Sequence, residues 1–146
     1  MRRSIALIVM MIMAAGCASL AQLSGPGKDL QDASVFLQEK KYAAALSNYQ
    51  KILREAPDTE TAADARFGTA LIHATPDNPQ KDYAQAIQLF EDFIKLHPEN
   101  RRTPDARAWV LALRNVLDLK KENDALKKNI EELKQLDIRH EERRRK

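Results

Sequence analysis

The chain has 146 residues, with 24 Lys and Arg against 21 Asp and Glu, four glycines, six prolines and one cysteine. That length holds one modest domain, and a composition rich in Ala, Leu, Lys, Glu and Gln with few β-branched residues favours helix over strand. A single cysteine excludes an internal disulfide framework and any multi-cysteine zinc site, and the formal charge of +3 drops to +1 without Arg2 and Arg3, so the basic character does not point to nucleic acid.

Residues 1–16 have the layout of a secretory leader. Arg2 and Arg3 form a positive start, and an apolar run of 11 residues, Ile5 to Ala15, follows. A membrane-spanning helix needs about 20 apolar residues, so this run is too short to anchor the chain by itself. Small residues then lead directly into Cys17. The segment Ala14-Ala15-Gly16-Cys17 resembles the lipobox of bacterial lipoproteins, with Ala14 where leucine is more usual. The resemblance implies cleavage before Cys17, diacylglycerol on its sulfur and a fatty acyl chain such as palmitate on its new amino terminus. Stable anchoring takes at least two acyl chains at about 0.8 kcal/mol per buried methylene, which a lipobox cysteine would carry. Ala18 and Ser19 follow with no aspartate beside the cysteine. By the same resemblance, that implies sorting to the outer membrane, facing the periplasm. No cofactor beyond this covalent lipid is expected.

Residues 17–28 read as a lipidated flexible tether containing Gly25, Pro26 and Gly27. About 11 such residues reach roughly 18 Å. Residues 29–118 then hold an internal repeat. The segments 40–58 and 81–99 align at an offset of 41, pairing Tyr42 with Tyr83, Ala45 with Ala86, Tyr49 with Phe90 and Pro57 with Pro98. The offset also pairs Ala63-Asp64-Ala65-Arg66 with Pro104-Asp105-Ala106-Arg107. The unit resembles the tetratricopeptide repeat, a helix-turn-helix of about 34 residues. The resemblance places Tyr42, Ala45 and Tyr49, like Tyr83, Ala86 and Phe90, in second helices. Ala33, Phe36, Gly68 and Leu71 fall in first helices. Small residues there let helices approach, and aromatics fill the space between them. Pro57 and Pro98 end the second helices because proline cannot continue the hydrogen-bond ladder. Asp29 and Asp32 stand where the family has bulkier residues, and residues 74–82 lengthen the turn of the second repeat. Thr61 and Thr103 are the expected caps of the next two first helices, with Asp64 favoured by the dipole and Pro104 tolerated in the first turn.

From Pro104 one long helix is expected through about His140, with Trp109 packing as part of a cap on the repeats. Residues 119–146 continue it with coiled-coil character and a basic end, Arg143 to Lys146. Val116, Asn123 and Ile130 occupy a positions, and Leu119, Leu126 and Leu133 occupy d positions. Glu122 at g precedes Lys127 at e, and an Asn at a sets register and oligomer choice. The pattern breaks at Asp137 and His140, leaving three heptads. Two arrangements fit this stripe: a coiled coil, formed with a second copy or a different protein, and an amphipathic helix folded back on the repeats. Asn123, Leu126, Ile130 and Leu133 are the candidate partner-binding residues.

No catalytic or metal-ligating constellation stands out, since His73, His97 and His140 lack ligand spacing and Glu131 and Glu132 read as solvated surface. The expected chain is therefore an all-α, non-enzymatic, tetratricopeptide-like lipoprotein that binds other envelope proteins and the bilayer through Cys17, not nucleic acid. Short chain, lipobox, repeats and basic C-terminal helix together resemble QseG-type lipoproteins, which implies regulation of an envelope sensor histidine kinase. A more distant resemblance, to BamD-like scaffolds of outer-membrane protein assembly, implies the alternative; that family carries more repeats on a longer chain. Cys17→Ala is expected to abolish incorporation of labelled fatty acid and membrane retention, while leaving the helical circular dichroism signal unchanged.

Overall fold

The computed structural model describes residues 25–145, so the leader, Cys17 and the greater part of the tether lie outside the described residues. Among the described residues, five helices follow one another: α1 (Pro26–Gln38), α2 (Tyr42–Glu55), α3 (Glu60–Ala74), α4 (Tyr83–Leu96) and α5 (Thr103–Arg144). Each packs on the next, and α1 also touches α3. The pairs α1–α2 and α3–α4 are the two repeats, and the first turns of α5 stand where a third repeat would begin.

The helix ends refine the expected boundaries. Residues 26–28 belong to α1 and not to the tether, because Pro26 occupies the first turn, where its missing N–H costs nothing. Asp29 in that turn pairs with Lys51 of α2 at 2.8 Å and ties the two helices together. The cap of α3 is Thr59, not Thr61: its Oγ1 accepts from the Ala62 N–H at 3.1 Å. Two threonines two residues apart offer the same capping chemistry, and the chain turns immediately after Pro57, so the earlier one is used. Thr103 does not cap α5 but is its first residue. Its hydroxyl donates to the His97 carbonyl at 2.6 Å, satisfying an acceptor left free at the end of α4. The long helix also continues past His140, to Arg144.

The lengthened turn of the second repeat is held by a residue with no consensus role. Asn78 is 3 % exposed. Its amide donates to the Ile72 carbonyl at 2.9 Å and accepts from the Gln80 N–H at 2.9 Å. Asp82 then caps α4 by accepting from the Gln85 N–H at 2.9 Å. The turn between α1 and α2 closes through Lys40, a non-glycine residue at φ 59°.

Packing centres on α3, which is buried on two sides. Ala62, Ala65 and Ile72 join Ala33 of α1 and Ala45, Tyr49 and Ile52 of α2 in one cluster. Ala63, Phe67, Ala70 and Ala74 join Ala86, Phe90 and Phe93 of α4 and Ala106, Val110 and Leu113 of α5 in the other. Phe67 meets Phe90 and Phe93 edge-on, with centroids 5.3 and 5.6 Å away, a geometry that sets positive ring edges against negative faces. Trp109 stacks on Phe90 at 6.1 Å and 6°. Gly68 is buried under the ring of Tyr49, and a Cβ placed on it would lie 2.7 Å from both Cε2 and Oη of that tyrosine.

On α5 the buried residues end at Leu113; Leu117 is half-buried, and every described side chain from Asp118 to Arg145 is exposed. The C-terminal part of the helix therefore does not fold back on the repeats, as one of the two arrangements required. At 1.5 Å per residue it extends about 40 Å beyond them. Gly68→Ala and Ala86→Leu are each expected to overpack a helix contact and cost about 1–3 kcal/mol. Thermal melts of the two variants, several degrees below that of the parent, check this.

Candidate interaction surfaces

The base of the projecting helix is fixed to the repeats by charge as well as by packing. Arg102, just before α5, places Nε 2.5 Å from Oδ1 of Asp64 on α3, and Arg101 reaches Oδ2 at 3.4 Å. Asp64 therefore serves as an anchor between elements and not, as expected, as a first-turn acid: α3 begins earlier, at Glu60, which takes that place. The Arg102 guanidinium also lies 4.9 Å from the centre of the Phe67 ring, a cation–π contact on the edge of the core. Further along, Arg114 of α5 pairs with Glu91 of α4. The outer bridge between Lys40 and Asp77, at 2.5 Å, joins two exposed side chains. Its hydrogen bond raises the Lys40 pKa and lowers that of Asp77. Exposed pairs of this kind contribute little to stability.

The repeat-packing candidates lie within and at the edges of the two clusters. Ala45, Ala86 and Phe90 are fully buried and Tyr49 nearly so, while Gly68 touches the Tyr49 ring. Tyr42 and Tyr83, the first residues of α2 and α4, are half-buried at the edges of the two clusters. The partner-binding candidates are a different case. Asn123, Leu126, Ile130 and Leu133 share one face of the projecting arm, with Leu126 at 61 %, Ile130 at 53 % and Leu133 at 62 % exposed. Val116 and Leu119 continue the same face toward the repeats. Large apolar side chains repeated along one face of an otherwise charged helix are the surface feature that calls for a covering partner.

A second apolar feature was not legible in the repeat alignment. Leu53 of α2, Arg66 and Thr69 of α3, and Leu89, Asp92 and Leu96 of α4 line an open groove of about 360 Å³. Leu96 is 60 % exposed there. These leucines look in sequence like any others on amphipathic helices; only the spacing of α2 and α4 across α3 leaves them uncovered. The histidines are scattered, with His73 on α3, His97 at the end of α4 against the Phe93 ring, and His140 on the arm. Among the described residues, no cluster of His, Cys, Asp or Glu is arranged to hold a metal ion, and no helix is long and apolar enough to cross a membrane.

Residues 64–100 match the family model of the tetratricopeptide repeat, covering most of α3, all of α4 and the turn after it. The match supports a tetratricopeptide-repeat protein, a scaffold fold that binds other proteins and is typically non-enzymatic. No curated protein and no solved structure matches the chain.

Burial raises the pKa of the Tyr49 phenol above its ordinary value of 10.0. The fold thus favours the neutral form, so this contribution to stability is complete below about pH 10 and is lost as pH rises through the folded value. Urea melts at increasing alkalinity are expected to show stability falling above that point, with a shallower fall in Tyr49→Phe.

Proposed function

We propose that this chain is a non-enzymatic, lipid-anchored adaptor of the bacterial cell envelope, which engages another envelope protein through its C-terminal arm and regulates a sensor histidine kinase. The observation that carries the adaptor reading is the arm itself. The repeats bury their aromatics among themselves and against the first turns of α5, whereas Leu119, Leu126, Ile130 and Leu133 remain in water about two-thirds to one-half exposed. Fully burying one such side chain is worth about 1.5–3 kcal/mol, so a partner covering the stripe gains substantially.

The anchoring part of the proposal rests on the lipobox-like segment ending at Cys17 and on a short tether that would hold the repeats close to the lipid surface. The kinase assignment rests on the resemblance of the whole layout to QseG-type lipoproteins. Two repeats and one capping helix form a short array, which suits a regulator with one docking arm better than a scaffold that cradles long clients.

Removing residues 120–146 is expected to leave the melting temperature of the repeats nearly unchanged, because every described side chain that is deleted is exposed, yet to abolish partner capture. Cross-linking the anchored protein in native membranes, followed by mass spectrometry, checks the partner. Capture of a kinase sensor domain supports the proposal, and capture of barrel precursors with their assembly machinery would replace it with the scaffold reading.

A further inference from the structure

We infer that the arm of α5 pairs with the arm of a second copy of this chain, as a parallel, in-register, two-stranded coiled coil over residues 116–136. The inference rests on reading the arm as a docking element: a second copy covers its apolar stripe, and the envelope partner is engaged by the paired arms.

The side of the helix on which the stripe lies makes the pairing sterically open. Ala106, Val110 and Leu113 face the repeats, and Leu117 continues their row. At about 100° per residue, Val116, Leu119, Asn123 and Leu126 fall roughly 90–170° around the helix from that row. Ala112, exposed and one heptad before Leu119, lies on the same outward side. A second helix can therefore approach along the whole stripe without meeting the repeat domain.

The identity of the a and d residues selects the number and direction of strands. Leucine occupies each d position, at Leu119, Leu126 and Leu133, and β-branched residues occupy two of the three a positions, at Val116 and Ile130. That combination favours two parallel helices. The third a residue, Asn123, sharpens the choice. In a parallel, in-register pair each a residue meets its own counterpart, so the two Asn123 amides bond to each other. In an antiparallel pair a residues face d residues, and Asn123 would be buried against leucine with its amide unpaired, which is costly. Two copies of this chain satisfy the amide by symmetry, with no matching polar residue required of another protein.

The flanking charges agree. Lys120, Lys127 and Lys134 fill the e positions, and Glu122 sits at g. In the parallel arrangement Glu122 of each chain meets Lys127 of the other, twice by symmetry. In the antiparallel arrangement the lysine rows face each other. Neither Glu122 nor Lys127 forms an ion pair among the described residues, whereas Lys128 and Glu132, on the outer face, pair within the chain at 3.8 Å. The charges that flank the stripe are thus free to pair between chains.

The test uses the full chain with Cys17→Ser, so that the only thiol is one introduced on the arm. Leu119→Cys and Leu133→Cys place it at d positions, and Lys128→Cys places it on the outer face as a control. All three sites are exposed in the single chain, and each variant is expected to keep its helices, with circular dichroism as the check. Under mild oxidation, each d-position variant is expected to form disulfide-linked dimers by itself, at twice the 16.6 kDa chain mass, with the control largely monomeric. Glu122→Lys and Lys127→Glu are each expected to weaken dimerisation roughly two- to tenfold, as for exposed ion pairs, and the double swap to restore it. Light scattering that shows a monomer at all concentrations overturns the inference. So do disulfides that form only when the Leu119→Cys chain is mixed with an Ile130→Cys chain, because antiparallel pairing sets the d position 119 against the a position 130. If no dimer forms but deletion of residues 120–146 still releases a captured envelope protein, this inference fails and the adaptor reading stands. If the dimer forms and the deletion releases nothing, the adaptor reading fails and this inference stands.

Discussion

The contact of the Tyr49 ring with the backbone at Gly68 sets the spacing on which the rest of the bundle depends. With no room for a Cβ at that position, α2 lies close enough to α3 for Ala45, Ala62 and Ala65 to be fully buried as well. On its other side α3 presents Phe67, and small residues at Ala63, Ala70 and Ala74 make space for the rings of α4. One helix thus divides its surface between two clusters, which is why its small and apolar residues are spread around it and it is less amphipathic than its neighbours. A change at Gly68 or Tyr49 is felt in both clusters because α3 belongs to both.

The same arrangement explains why α5 has two unlike halves. A repeat array of this length needs a cap to cover the open face of its last helix. Ala106, Trp109, Val110 and Leu113 supply it, reinforced by Arg102 on Asp64 and Arg114 on Glu91. Three turns suffice to cover α4. The helix does not stop there, since nothing between Leu113 and Arg144 breaks it: there is no proline or glycine in that stretch. What continues is an arm whose own charged residues keep it soluble on most sides and whose leucines leave one side apolar.

The departures from repeat regularity have local chemistry behind them. The second repeat carries a longer turn, and a buried asparagine supplies the hydrogen bonds that a tighter connection would have made unnecessary. At the entry to α5 a threonine satisfies the preceding helix instead of its own. In both places a side chain completes backbone groups that the turn leaves free, as buried polar groups require.

By itself the sequence determined the helical class, the two repeats and nearly every residue that packs them, because a 41-residue offset aligns small and aromatic residues that occupy equivalent sites in both units. It also determined the heptad of the arm, since periodicity of apolar residues is a local property of the chain. Capping was only partly legible: Thr59 and Thr61 are chemically alike, and the choice between them depends on where the chain turns after Pro57. Whether α5 folds back or projects was decided only by the tertiary structure. The stripe from Val116 to Leu133 is equally suited to either, and the outcome follows from the first turns of α5 alone meeting the Phe90 and Phe93 side of α4, while every described side chain after Leu117 stays exposed. The groove around Leu53, Arg66 and Leu96 was likewise invisible in the sequence, because it is made by the distance between α2 and α4 and not by any motif within them.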